Sequence, residues 1–406
     1  MYYETIRELS VKIKNQEISP VELVEACLER IEELNPKLNA FITVMAAEAR
    51  QAAKDAEVEI RNGKLRGPLH GIPVAVKDFY DTKGVKTTAG FAHMKDRVPA
   101  KDAEVVKRLR DAGAIIIGKT NMDALGMATT GLTSFFGPVK NPWNNKYITG
   151  GSSAGSAAAI ASGMCYATID TDAVGSVRLP AASCGVVGFK GSYGLVSTEG
   201  ILSDQPVDDF IRWMAHAAIT TRSVSDTALV LDIVADTGVR FAEVAASGKT
   251  SLRIGVGNNF QVSDEVTQAF DVAVEAIKSL GHELYKVEVP FGDPSQGSME
   301  NIEDDRTTIG SDAFSSVDVI LLPVTKDVTP MTKEAELNPE QAISAELTAF
   351  ANYYGLPAVS IPCGFDGHGM PVGLQVIAGP GNDAYVLEVA RVLEAARGLA
   401  SRHPEL

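Results

Sequence analysis

The chain has 406 residues, with 37 Lys+Arg against 52 Asp+Glu and a formal net charge of −15. Hydrophobic residues at 45% and charged residues at 22% are globular proportions, which exclude a disordered or fibrous chain. The acidic balance argues against a dedicated nucleic-acid binder, because phosphate contacts need basic patches. Length alone fits two or three domains, or one large α/β enzyme.

The first 65 residues read as helical. Ser19 before Pro20 places a capping hydroxyl ahead of a proline at the first helical position, and Leu23, Cys27, Ile31 and Leu34 then recur at three- and four-residue spacing. The alanine-rich stretch Met45 to Ile60 reads the same way. At Gly71 to Lys77 the period changes to a short apolar, β-branched run, predicted to be a buried strand. From there strands and helices alternate: helix 101–112, strand 114–117, short helix 121–127, helix 153–163, strand 164–169 and strand 186–190. Further helices are predicted at 224–235, 264–280, 343–354 and 384–396, and strands at 252–256, 319–324, 358–361 and 372–377. This alternation implies an α/β fold with a sheet covered by helices on both faces. Pro290 to Thr308 is polar and contains glycine, and reads as a surface loop.

Cys27, Cys165, Cys184 and Cys363 are far apart, with no C-x-x-C, so neither a zinc site nor a disulfide framework is expected and the thiols read as buried apolar groups. The N-terminus mixes charges with apolar residues unlike a targeting peptide, and no apolar run approaches the ~18 residues needed to span a bilayer. The expectation is a soluble, cytoplasmic protein.

Three glycine- or serine-rich motifs compete for the chemistry. Gly113 to Thr120 matches the phosphate-binding loop spacing G-x-x-x-x-G-K-[ST], but its four intervening residues are themselves the best strand nearby, leaving no loop to wrap phosphate. Lys119 would then be a solvated lysine at a strand exit. Gly151-Ser152-Ser153-Ala154-Gly155 matches the nucleophile elbow G-x-S-x-G, which needs a preceding strand and a downstream acid and histidine. Residues 141–149 read as loop, and none of His216, His282, His368 or His403 stands in a recognisable setting.

The third reading joins Gly150–Ser156 and Asp172–Pro180, two segments whose glycines allow close backbone approach and whose amides can form a nest for an oxyanion. A serine nucleophile there needs a base. Lys77, closing an apolar strand, serves if burial keeps it neutral; taken alone, it reads more simply as a solvated strand end paired with Asp78.

These residues resemble the amidase-signature family, the serine amidases with a Ser–cis-Ser–Lys triad. The resemblance runs from about Ser19 to Leu399. It rests on Gly71–Asp78, Gly118–Met122, Asn141-Pro142-Trp143, Gly150–Ser156, Gly175–Ala182, Cys184–Lys190 and Gly355–Pro362, in family order. It implies a single large domain with a central mixed sheet, divided here as an N-terminal helical segment, residues 1–65, packed on a catalytic domain, residues 66–406. Carried over by position, Ser176 is the nucleophile, Ser152 the bridging serine on a cis peptide and Lys77 the base. The amides of Ala173, Val174, Gly175 and Ser176 would form the oxyanion hole, and Gly126 and Met127 would line the substrate pocket. No cofactor and no metal are implied.

Arg178 reads as a brace for the nucleophile loop rather than a binder of substrate carboxylate. Departures are visible too. Relatives usually read Gly-[ST]-Asp-Thr-Gly-Gly-Ser where this chain reads Asp170-Thr171-Asp172-Ala173-Val174-Gly175-Ser176. Val174 is expected to narrow the acyl pocket or change the local backbone, while Asp170 has no explanation from sequence. The stretch from Val289 to Ser315 is short where relatives carry pocket-covering helix, which predicts an open site or one completed by another chain.

The favoured function is an amide hydrolase acting on a small carboxylic, aryl or urea-like amide. The alternative is the glutaminase component of a tRNA-dependent amidotransferase. It is disfavoured because Ala345, with Glu346 adjacent, stands where relatives of that type hold a glutamine-binding aspartate, and the stretch that carries their arginine is missing. A second alternative is a degenerate, non-catalytic partner subunit. Expected partners are a small-molecule amide and a homodimer mate or small subunit, with no direct nucleic-acid or membrane contact.

Overall fold

A computed structural model describes residues 1–206, 208–235, 237–247, 252–291, 299–339 and 342–406. Eleven strands form one sheet among them: β1 (Phe41–Val44), β2 (Pro73–Lys77), β3 (Ile115–Thr120), β4 (Ala167–Asp172), β5 (Val187–Lys190), β6 (His216–Thr221), β7 (Ile254–Gly257), β8 (Leu284–Val287), β9 (Val319–Pro323), β10 (Ala358–Phe365) and β11 (Pro371–Ala378). Their spatial order is β1-β3-β2-β4-β6-β5-β10-β11-β9-β7-β8. β2 runs parallel to β3 and β4, and β7 parallel to β8 and β9, while the remaining pairs are antiparallel. The fold is thus one large α/β domain with a mixed sheet. β2, β4 and β6 are buried along their whole length, as expected of central strands covered on both faces.

Local sequence explains how the elements begin. Ser19 caps the helix Pro20–Leu38 and Glu22 returns a bond to the Ser19 amide, with Leu23, Cys27, Ile31 and Leu34 on the buried stripe. Thr5 caps the helix Ile6–Lys14 in the same way. That helix docks through its Ile6 amide, which donates to Asp226 Oδ1 at 3.0 Å. All four cysteines are free and buried.

Several elements differ from expectation. Residues 41–44 lie inside the stretch read as helical but form β1, hydrogen-bonded to β3. The short helix expected at 121–127 shrinks to a single 3-10 turn, Ala124–Gly126, because Leu125 and Gly126 turn left-handed (φ 53° and 70°). The helix expected at 343–354 is only Ala349–Tyr353; upstream, the Thr348 hydroxyl bonds the carbonyls of Ala345 and Val174. In the segment read as a loop, 299–313 is a helix, whereas 292–298 lies outside the described residues. Lys119 is not solvated. It is fully buried within β3, donates to Tyr80 O at 2.6 Å and Thr87 Oγ1 at 2.8 Å, and pairs with Asp78 at 3.5 Å. No described helix is long and apolar enough to cross a membrane.

Candidate active site

The site lies where three chain segments converge: the end of β2, the turn before the helix Ala154–Ala161, and the loop leaving β4. Lys77 closes β2 with none of its surface exposed. Its Nζ is 2.7 Å from Ser152 Oγ, 2.9 Å from Ser153 Oγ and 2.9 Å from Thr171 Oγ1. Asp78, the partner a solvated Lys77 would have used, is taken by Lys119. Burial pushes the Lys77 amine down to about 8, against the upward pull of Asp170, Asp123 and Asp172. A neutral amine has two N–H donors and one lone pair. With Ser153 and Thr171 as acceptors, the lone pair is left for the Ser152 hydroxyl.

Ser152 follows a cis peptide at Gly151. Gly151 is required by contact, since a Cβ there would lie 2.0 Å from Asp123 Oδ2. The Asp123 carboxylate is itself fixed by the amides of Gly131 (2.8 Å) and Thr133 (3.0 Å), and the Asp123 amide donates to Ser152 O at 3.1 Å. Ser176 joins the cluster through its backbone, its carbonyl accepting from the Ser153 amide at 3.0 Å, and it is 4% exposed.

The loop carrying Ser176 is held by Asp172. Its carboxylate accepts from the Gly175 amide (2.8 Å), the Val177 amide (3.2 Å) and Arg178 Nε (3.1 Å). Burial works against that charge, yet Arg178, Lys190 and Asn352 hold the carboxyl well below the usual range. Arg178 is fully buried and also reaches Gln375 Oε1 (3.0 Å), Thr348 O (3.0 Å) and Asn352 Oδ1 (2.7 Å). It braces the loop and is not presented to substrate. Gly175 sits at φ +129°, and a Cβ there would meet Thr348 Oγ1 at 2.4 Å. Because the Gly175 amide is committed to Asp172, it is not free to hold an oxyanion. The amides of Ala173, Val174 and Ser176 have no acceptor among the described residues.

Other candidate positions fall nearby. A Cβ on Gly126 would lie 3.5 Å from Ser152 Oγ and against the Phe79 ring, so Gly126 borders the Lys77–Ser152 pair. Met127, by contrast, is 74% exposed. Val174 packs with Ala173 against Met214, Ile302 and Tyr353. Ile302 belongs to the helix Met299–Ala313, so described chain does cover this flank of the loop. Arg306 of the same helix donates to Tyr353 O (2.7 Å) and Trp213 O (2.7 Å). Ser153 and Thr171 were not expected as Lys77 partners, although Ser153 lies within the Gly150–Ser156 segment and Thr171 directly before Asp172. No cluster of potential metal ligands occurs among the described residues.

A family model described as Amidase matches residues 22–296 and 298–387. The chain belongs to the amidase-signature family. Among relatives of this amidase-signature protein, a glutamyl-tRNA(Gln) amidotransferase component from Geobacter metallireducens is 34% identical, with 97% of each chain covered. That alignment extends over 478 positions although the present chain has 406 residues, so the relative carries internal segments missing here. Among solved structures, a 6-aminohexanoate cyclic dimer hydrolase complexed with substrate superposes with a TM-score of 0.86 at 26% identity, covering 100% of this chain and 99% of its own. A second, described as an amidase, gives 0.83 at 31% identity, covering 97% and 100%.

Proposed function

We propose that the chain hydrolyses the C–N bond of a carboxamide through an acyl-enzyme on Ser176, with Lys77 as base and Ser152 as relay. The observation that carries this reading is the fully buried Lys77 amine 2.7 Å from Ser152 Oγ. Lys77 takes the Ser152 proton, Ser152 takes that of Ser176, and Ser176 Oγ attacks the amide carbon. The amides of Ala173, Val174 and Ser176 stabilise the oxyanion. The proton returns along the relay to the departing nitrogen, which otherwise leaves poorly, and water then cleaves the ester.

For the substrate, the relatives favour the glutaminase component of an amidotransferase over a free-standing hydrolase of small carboxylic or aryl amides, since the amidotransferase relative is matched almost end to end at 34% identity. Glutamine is therefore the first substrate to test. The small-amide reading draws on different observations. Ala345, expected from the resemblance to stand where an acid would meet the glutamine ammonium, packs in an apolar cluster, and Glu346 is engaged by Lys326 at 2.9 Å. Ammonia and amine release from glutamine, simple alkyl amides and anilides, compared between wild type and Ser176→Ala, separates the readings. Turnover of glutamine supports the first, turnover of alkyl or aryl amides alone the second. Turnover surviving in Ser176→Ala contradicts both.

A further inference from the structure

We infer that Asp170 is the counter-charge of Lys77: its carboxylate, on the neighbouring strand one register step beyond the Val76–Ile169 pair, stabilises the ammonium that forms when Lys77 takes the serine proton. The inference rests on the proposed role of Lys77 as base and adds a positioning residue to it.

The register places the two groups. β2 and β4 are parallel with Val74 opposite Ala167, Ala75 opposite Thr168 and Val76 opposite Ile169, so the next step brings Lys77 beside Asp170 on the same face. Asp170 is fully buried. Its Oδ2 accepts from Thr168 Oγ1 at 2.6 Å and Thr220 Oγ1 at 2.7 Å, while Oδ1 has no hydrogen-bond partner. Two hydroxyl donors on one oxygen suit an ionised carboxylate, which only accepts. Burial pushes the Asp170 carboxyl up, and the Ser156, Thr168 and Thr220 hydroxyls together with the Lys77 charge pull it back down. The main chain is pinned as well, by the Tyr80 hydroxyl donating to Asp170 O at 2.6 Å.

The other charges around Lys77 are committed. Asp172, also on β4, is locked to Arg178, and Asp123, from the loop after β3, is filled by Gly131 and Thr133. Lys119 of β3 pairs with Asp78. His216 of β6 lies beside Asp172, with its Nδ1 on Met214 O at 2.8 Å. Tyr80 and Cys165, the further titratable groups facing Asp170, are buried and held neutral. Of the three carboxylates that act on Lys77, Asp170 alone is held by hydroxyls only, with no backbone amide or arginine on it among the described residues. Burial pushes the Lys77 amine down, and Asp170 is the largest of the charges that pull it back up. A carboxylate here offsets part of the cost of placing an ammonium in a dry site.

The test is the titration of Lys77 in full-length protein labelled with [ε-13C]lysine, its signal assigned by loss in Lys77→Ala, comparing wild type with Asp170→Asn. Asparagine keeps the shape, and the Thr168 and Thr220 hydroxyls can turn from donor to acceptor. The expected result is a Lys77 midpoint lower by about one pH unit or more in Asp170→Asn. Rates of fluorophosphonate labelling should show the same displacement of their acid limb, and Asp170→Glu should move both back towards wild type. Should Asp170→Asn fold poorly, Asp170→Gly, carrying the residue usual in relatives, provides the second comparison. An unchanged or higher Lys77 midpoint overturns the inference. Wild-type protein that never labels contradicts the proposed function instead, and the Lys77 midpoint still decides the role of Asp170.

Discussion

Lys77 is completely buried, with three hydroxyl partners and no carboxylate in direct contact among the described residues. Burial disfavours the ammonium, and an amine titrating at about 8 is partly neutral at physiological pH, as a base must be. The sign follows directly: below about 8 the amine is protonated and cannot accept the serine proton, so kcat/KM should rise with pH and level off above that value. Lys77→Ala should lower kcat/KM by about 10²–10⁴-fold at the plateau, and Lys77→Arg, always protonated, should not restore it. A pH profile flat from 6 to 9 in the wild type would contradict the assignment. The lysine was legible from motif spacing, but its environment was not. That Asp78 belongs to Lys119 depends on β3 lying beside β2, which no local pattern reveals. Asp170 was unexplained in sequence for the same reason, because its partners Thr168 and Thr220 come from two strands.

At the scale of elements, long periodic helices such as Pro20–Leu38 and Asp264–Ser279 and the β-branched strands β2 and β9 were readable, because burial periodicity is strong in each. What escaped were short pieces set by tertiary contact. β1 is four residues at the sheet edge and gains its identity only by pairing with β3. β4 was expected at 164–169 but runs to Asp172, carrying two buried acids that no propensity assigns to a strand. The helix Arg178–Cys184 was hidden by Pro180, which its first turn tolerates because those amides have no intrahelical acceptor.

Another tertiary device is Asp226, which receives the Ile6 amide and so ties the first helix to the helix Val224–Val234. Asp226→Ala should cost about 1–3 kcal/mol by leaving that amide unpaired, read from urea unfolding midpoints, with Asp226→Asn retaining most of it. Burial holds the Asp226 carboxyl up at about 6 from an ordinary 3.8. Between those values the folded chain binds a proton that the unfolded chain does not, so stability should fall as pH rises through the window. Asp226→Asn should remove that slope; an equal slope in the variant would contradict it.

On the scale of the whole molecule, the sheet gathers groups that are far apart in sequence. Seventy-five residues separate Lys77 from Ser152, yet their side chains touch. Motif order made the family and the large α/β domain readable from sequence, and the family match across residues 22–296 and 298–387 agrees. The substrate was not readable, because it depends on the side chains packed around the loop leaving β4. Val174 of that loop packs against Met214, Ile302 and Tyr353, which come from three separate segments. The stretch expected to leave the site uncovered in fact holds the helix Met299–Ala313, while the longer relatives carry further internal segments. The −15 net charge bears on partners rather than on chemistry.

The central claim is that Ser176 is the nucleophile, activated by Lys77 through Ser152. Intact-protein and peptide mass spectrometry after incubation with a fluorophosphonate tests it most directly. A single adduct is expected on the peptide containing Ser176, absent in Ser176→Ala and formed far more slowly in Lys77→Ala. An adduct on another serine, or equal labelling of Ser176→Ala, would contradict it.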